Sequence, residues 1–116
     1  MTKSEFETLL EAYNRAFTGK DLSALQEMFA HDIVWHAIGQ QQLIGVEAVF
    51  AGIKQSPELQ SITVESRFIE MGHSAQFGFL LTKSGEKYHF ADRYTLNERN
   101  QICEIQSIIA FDLIQN

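Results

Sequence analysis

Tyr88-His89-Phe90-Ala91-Asp92-Arg93-Tyr94-Thr95-Leu96 is the stretch on which the reading of this chain turns. Apolar and aromatic residues recur there at every second position, the period of a β-strand with one buried face. Tyr88, Phe90, Tyr94 and Leu96 share that face, and Asp92 stands in the middle of it. A carboxylate among aromatic rings is costly unless it is paired, hydrogen-bonded or protonated. Asp92 is therefore either tied off by a partner or put to use.

Working outward, Lys83-Ser84-Gly85-Glu86 reads as the hairpin turn before this strand, and Asn97-Glu98-Arg99-Asn100 as the turn after it. Cys103, Ile105, Ile109, Phe111 and Leu113 mark one face of a last strand. Phe77, Phe79 and Leu81 mark the strand before the hairpin. Ile62, Val64, Ser66 and Phe68 alternate with polar residues in a strand that begins near Leu59.

Before Leu59 the period is helical. Ser4 and Glu7 have the spacing of a capping box, and Phe6, Leu9, Leu10, Tyr13, Ala16 and Phe17 form an apolar stripe, so a helix is expected from Ser4 to Thr18, stopped by Gly19. Asp21 is placed to cap a second helix, from Leu22 to Ala30. A short strand is expected from Asp32 to Ile38, with Val34, His36 and Ile38 on one face and Ile33, Trp35 and Ala37 on the other. Gly39 and the glutamines Gln40 to Gln42 read as a loop. Gly45 leads into a third helix, Val46 to Gln55, ended by Ser56-Pro57.

Three helices, a short strand before the third, and a four-strand antiparallel meander make an α+β pattern. The expected architecture is a cone-shaped α+β barrel, with the helices packed on a curved, mainly antiparallel sheet. No linker or repeat divides residues 1–116, so one domain is expected. The interior of such a cone would suit a small apolar ligand.

The 116 residues are 45% hydrophobic and 21% charged, a globular composition. The formal net charge of −6 argues against nucleic acid and anionic membrane surfaces as partners. Cys103 is the only cysteine, which rules out an internal disulfide; with no secretory signal in Met1 to Leu10, a cytoplasmic setting is expected. His31, His73 and His89 lack metal-ligand spacing, and the seven glycines form no phosphate loop, so neither metal nor cofactor is expected.

Leu10-Glu11-Ala12-Tyr13-Asn14-Arg15-Ala16-Phe17 with Gly19-Lys20-Asp21-Leu22, Phe29-Ala30-His31-Asp32-Ile33-Val34-Trp35-His36, Gly45-Val46-Glu47-Ala48-Val49, and Asp92-Arg93-Tyr94 before Ile102-Cys103-Glu104-Ile105 together resemble the nuclear-transport-factor-2-like superfamily, in its SnoaL-like and ketosteroid-isomerase-like branch. The resemblance spans nearly the whole chain and implies the cone fold. It also implies roles. Tyr13 falls where ketosteroid isomerases place the tyrosine that donates to the substrate oxyanion. Asp92 falls where they place the second donor, a carboxylic acid kept protonated by an apolar site; that acid is a known example of such chemistry. His36 stands where they place the aspartate that shuttles the proton, a departure in residue type, though an imidazole is a competent base near neutral pH.

Two functional classes follow. In the first, Tyr13, His36 and Asp92 are catalytic in a cofactor-independent isomerase- or cyclase-type enzyme acting on an apolar carbonyl compound, with a hydrolase or dehydratase as a variant. Phe17, Trp35, Phe50, Phe68, Phe79, Phe90 and Phe111 would line its cavity. In the second, the domain binds a ligand or dimerises without catalysis, and Asp92 is a structural acid paired with His36 or an arginine. Tyr13 and His36 also have plain readings as core and cavity-mouth residues. Trp35 could pack under a helix or at a dimer contact, and Cys103 reads as a small core residue. The surface charges Lys3, Lys20, Glu98 and Arg99 read as solvated. A homodimer through the open sheet face is expected.

Overall fold

A computed structural model of the protein describes residues 1–114. Its elements run α1 (Lys3–Thr18), α2 (Leu22–Met28), β1 (Phe29–Ala37), β2 (Gln41–Ile44), α3 (Val46–Gln55), β3 (Leu59–Glu70), β4 (His73–Thr82), β5 (Lys87–Leu96) and β6 (Ile102–Phe111). The six strands form one curled sheet in the order β2-β1-β6-β5-β4-β3. Neighbours are antiparallel except β1 and β6, which run parallel. The expected cone of three helices on a mainly antiparallel sheet is the observed fold.

The helices begin where side chains satisfy free backbone N–H groups. For α1 that residue is Thr2 and not Ser4. The Thr2 hydroxyl accepts from the Glu5 N–H at 3.1 Å, and the Glu5 carboxylate accepts from the Thr2 N–H at 2.8 Å. Asp21 caps α2, as expected, by accepting from Ala24 N–H at 3.2 Å. The turn between α1 and α2 is made by Lys20, whose φ of 51° is left-handed, while Gly19 keeps a right-handed φ of −88°. Lys20 is not a solvated charge: its ammonium donates to the Lys54 and Ser56 carbonyls, the end of α3. The region from Gln41 to Ile44 is not a loop but β2, antiparallel to β1 with Val34 opposite Ile44.

Phe6, Leu10, Tyr13 and Ala16 of α1, Leu25 of α2 and Val46, Val49 and Ile53 of α3 close over Phe29, Ile33, Tyr94, Ile102 and Ile105 of the sheet. A register slip in β3 and the facing of β4 decide which strand residues face this core. In β3 the register slips at Glu65, so Val64 lies opposite Gly78 but Ser66 lies opposite Phe77. One extra residue in a strand breaks its alternation and bends it. Phe68 consequently turns outward, 62% exposed, and Arg67 turns inward opposite Gln76. In β4 the buried side chains are Ser74, Gln76 and Thr82, while Phe77 is 42% exposed. Phe77 and Phe79 thus lie on the outer face, the reverse of the expected facing. No described helix is long and apolar enough to cross a membrane.

Candidate functional site

The register of β4, β5 and β6 builds the site. Gln76, Asp92 and Ser107 lie side by side in one row across the three strands. All three face the helices, and α1 lays Tyr13 and Asn14 over them. A cavity of about 40 Å³ remains at this point, lined by Tyr13, Phe17, Trp35, Phe90, Asp92 and Ser107, with Asn14, Ile62, Leu80 and Ile109 completing the wall. A cavity for an organic ligand spans some hundreds of Å³, roughly 300 or more. The observed space has room for water and not for a ring-sized molecule, smaller than the ligand-sized interior expected from the fold.

Asp92 is held from one side. The Tyr94 hydroxyl donates to its Oδ2 at 2.9 Å. Its Oδ1 is buried and has no hydrogen-bond partner among the described residues. The Ser107 hydroxyl lies close enough to favour the charged form, but outside the geometry of a formed hydrogen bond. Burial dominates and pushes the Asp92 carboxyl up to about 6, against the smaller opposing pull of Ser107 and Tyr94. The Tyr13 ring meets Tyr94 edge-on, with centroids 5.3 Å apart. Burial, and then the nearby Asp92 charge, holds the Tyr13 hydroxyl well above its ordinary range. Tyr94 is raised in the same way, by burial first and then by its acidic neighbours. Both phenols are therefore proton donors throughout the neutral range.

Behind Tyr94 stands a polar cluster. Gln76 Nε2 donates to the Tyr94 oxygen at 3.1 Å, and Arg67 Nε donates to Gln76 Oε1 at 2.8 Å. Asn14 and Gln76 exchange amide hydrogen bonds at 3.3 Å in each direction. Trp35 Nε1 donates to Ser107 Oγ at 3.0 Å, and its indole packs on Phe17 with centroids 5.7 Å apart.

The structure brings Tyr13 and Asp92 together and leaves His36 outside. The bulky Trp35 fills the space beneath α1, and its N–H finds Ser107, so strand alternation turns His36 to the other face of β1. There His36 pairs in register with Gln42 and Gln106 and borders a shallow surface depression with Ala37 to Gln42. Among the expected lining residues, Phe17, Trp35 and Phe90 reach the cavity. Phe50 packs on Phe29 in the core beneath α3. Phe68 and Phe79 lie on the outer sheet face: Phe68 meets Phe77 edge-on, and Phe79 packs against His89 and Lys87. Phe111, at the end of β6, meets Tyr88 and is 44% exposed. Arg93 is exposed and lies 3.8 Å from Glu104, so no arginine ties off Asp92 directly.

Sequence reasoning missed Tyr94, Gln76, Asn14, Arg67 and Ser107 as site residues. Tyr94 carried a signal, since it sits two residues from Asp92 on the same strand face. The other four come from four separate elements, α1, β3, β4 and β6, and carried none.

The profile of the SnoaL-like domain matches residues 10–105. This chain belongs to the SnoaL-like domain family. Tyr13, Asp92 and the row across β4, β5 and β6 lie within the matched span. The SnoaL-like chain is similar in structure to an NTF-2 like protein of unknown function from Burkholderia xenovorans, with a TM-score of 0.84, 11% identity, and 96% of this chain and 87% of that one covered. It is similar to a candidate SnoaL-like polyketide cyclase from Shewanella putrefaciens, with a TM-score of 0.80, 13% identity, and 95% and 92% covered. It is also similar to a candidate ketosteroid isomerase from Kribbella flavida, with a TM-score of 0.78, 12% identity, and 88% and 75% covered. At these identities the likenesses establish the fold. Among proteins of curated function no match was found.

Proposed function

We propose that this SnoaL-like domain binds a small, mostly apolar carbonyl compound at its cavity and performs cofactor-independent acid–base chemistry there, as an isomerase or cyclase. One observation carries the reading: Asp92 lines a cavity that Tyr13 also lines, and its buried Oδ1 has no hydrogen-bond partner among the described residues. A carboxyl near 6 is mostly ionised at pH 7 yet can be reprotonated, the balance that a general base needs. With His36 outside the cavity, Asp92 takes the base role and Tyr13 the donor role. Oδ1 removes a proton from the carbon next to the carbonyl. The Tyr13 O–H donates to the oxygen on which negative charge develops. Asp92 then returns the proton to carbon, which gives an isomer. Alternatively the enolate attacks a second carbonyl in the same molecule, and Asp92 protonates the new alkoxide. A ligand larger than the space of about 40 Å³ requires side chains of the cavity wall, such as Phe17, Ile62 and Ile109, to move.

The test is exchange of α-protons for deuterium in a panel of cyclic enones and β-diketones, followed by NMR. Wild type should catalyse exchange with a rate that rises through about pH 6, and Asp92→Asn should lose about a hundredfold or more. Binding without exchange would favour a second reading, a ligand-binding or dimerisation module without catalysis. The small cavity of about 40 Å³ speaks for that alternative. In either reading two copies pair through the outer sheet face, where Phe68, Phe77 and Ile108 are 62%, 42% and 52% exposed. The setting we propose is cytoplasmic.

A further inference from the structure

The hydrogen bonds around Gln76 have a direction that can be worked out without seeing a proton. An arginine guanidinium only donates, because it carries no acceptor and does not deprotonate in proteins. Arg67 Nε points at one end of the Gln76 amide, so that end is the oxygen. The other end is then the NH2 group. It donates both to Asn14 Oδ1 and to the Tyr94 oxygen. Every donor and acceptor position of the Gln76 amide is thereby used, since Asn14 Nδ2 supplies the second hydrogen bond to Oε1. A flipped amide would set its NH2 against the Arg67 N–H and leave a buried donor facing a donor, a conflict that disfavours the flip. Gln76 is 0% exposed, so water cannot relieve that conflict. Tyr94, accepting from Gln76, keeps its own proton to give; the Tyr13 hydroxyl is also close, but the hydrogen bond formed is to Asp92 Oδ2 at 2.9 Å.

We propose that Arg67 and Gln76 are positioning residues that polarise a one-way hydrogen-bond chain, Arg67 to Gln76 to Tyr94 to Asp92. The chain holds Oδ2 as a permanent acceptor and leaves Oδ1 as the atom of Asp92 that takes up and releases a proton toward the cavity. The inference deepens the acid–base reading above, and its functional meaning rests on it. It also assigns Tyr94 a role distinct from that of Tyr13. The Tyr94 proton is committed to Asp92, whereas the Tyr13 hydroxyl is the one that can turn to a ligand. Arg67 does not contact Asp92, so it acts only through the amide and the phenol. The other groups facing Asp92 are Tyr13 from α1, Tyr94 from its own strand, and the neutral Trp35, Gln76 and Ser107 from β1, β4 and β6.

The test is a double-mutant cycle read on the Asp92 carboxyl by carbon NMR titration of the free protein. Tyr94→Phe removes the donor to Oδ2 and should raise the midpoint by about one to two units, the value of a hydrogen bond to a charged group. Arg67→Met frees the amide to flip and should also raise it. In the Tyr94→Phe background, Arg67→Met should have no further effect, because the route to Asp92 is already cut. A simple charge effect of Arg67 would persist in both backgrounds and would overturn the proposal, as would the absence of a shift in the single variants. Gln76→Leu cuts the chain at another link and serves if Arg67→Met does not fold. Its shift should likewise vanish with Tyr94→Phe. Because no ligand is present, the outcome is independent of whether the enone panel shows exchange.

Discussion

Ionising Asp92 works against the fold. Its carboxyl titrates near 6 in the native state, against an ordinary value of 3.8. A group with a raised native value binds more protons folded than unfolded between those two points. Stability contributed by that proton is therefore present below about pH 4, falls as the pH rises to about 6, and is level above. The loss is on the order of 3 kcal/mol. Asp92→Asn should thus be more stable than wild type at pH 8 by about 3 kcal/mol and nearly equal to it at pH 4. Urea denaturation at the two pH values checks this, and equal stability at pH 8 would remove the argument from burial. At this scale the sequence was legible only where a charged residue interrupted an apolar pattern. Asp92 stood out for that reason, and Tyr13 through its place on the apolar stripe of α1. Gln76 could not be seen. A buried glutamine whose partners lie 62 residues away in α1 and 18 away in β5 looks, in sequence, like a solvated strand residue.

At the scale of elements, α3 was read with its observed bounds and α2 with its correct cap, because both depend on local signals. The N-cap of α1 was misplaced by two residues, since Thr2–Glu5 and Ser4–Glu7 carry the same spacing. The difference is testable: Thr2→Ala should cost about 1 kcal/mol and Ser4→Ala much less, measured by thermal unfolding. Strand facing was the harder problem. β4 reads as though Phe77 and Phe79 were its core residues, but its inner row is Ser74, Gln76, Gly78, Leu80 and Thr82, set by pairing with β5. Hydrophobicity alone marks a covered face without saying which cover, helices or a second molecule, lies over it. Gly78 occupies that inner row because a Cβ there would stand 1.9 Å from the Thr63 carbonyl oxygen. Gly78→Ala should therefore destabilise by several kcal/mol, roughly 3 or more, or leave the protein unfolded in circular dichroism.

For the molecule as a whole, α+β class, strand count in the meander and cone shape were all legible from the order of periods along the chain. The parallel pairing of β1 with β6 and the closing β2 were not, because they join segments about 70 residues apart in one case and hide in a glutamine run in the other. The outer sheet face is the molecule's largest open issue of solvation. With Phe68, Phe77 and Ile108 on it, a second copy is the expected cover. Light scattering at tens of micromolar should give twice the chain mass, and Ile108→Glu should halve it without changing the Asp92 titration. A wild-type monomer at that concentration would exclude the pairing.

The bulge at Glu65 and the glycine at position 78 meet across the same pair of strands. Next to the bulge, the Thr63 carbonyl oxygen occupies the space a Cβ at position 78 would need, and the missing side chain leaves it room. In genetic terms the two form one epistatic unit. Removing the codon for Glu65 straightens β3 while leaving every later residue opposite its present partner. In that background alanine at position 78 should become tolerable, although it is excluded from the parent. Natural variation at these two sites should accordingly change together or not at all.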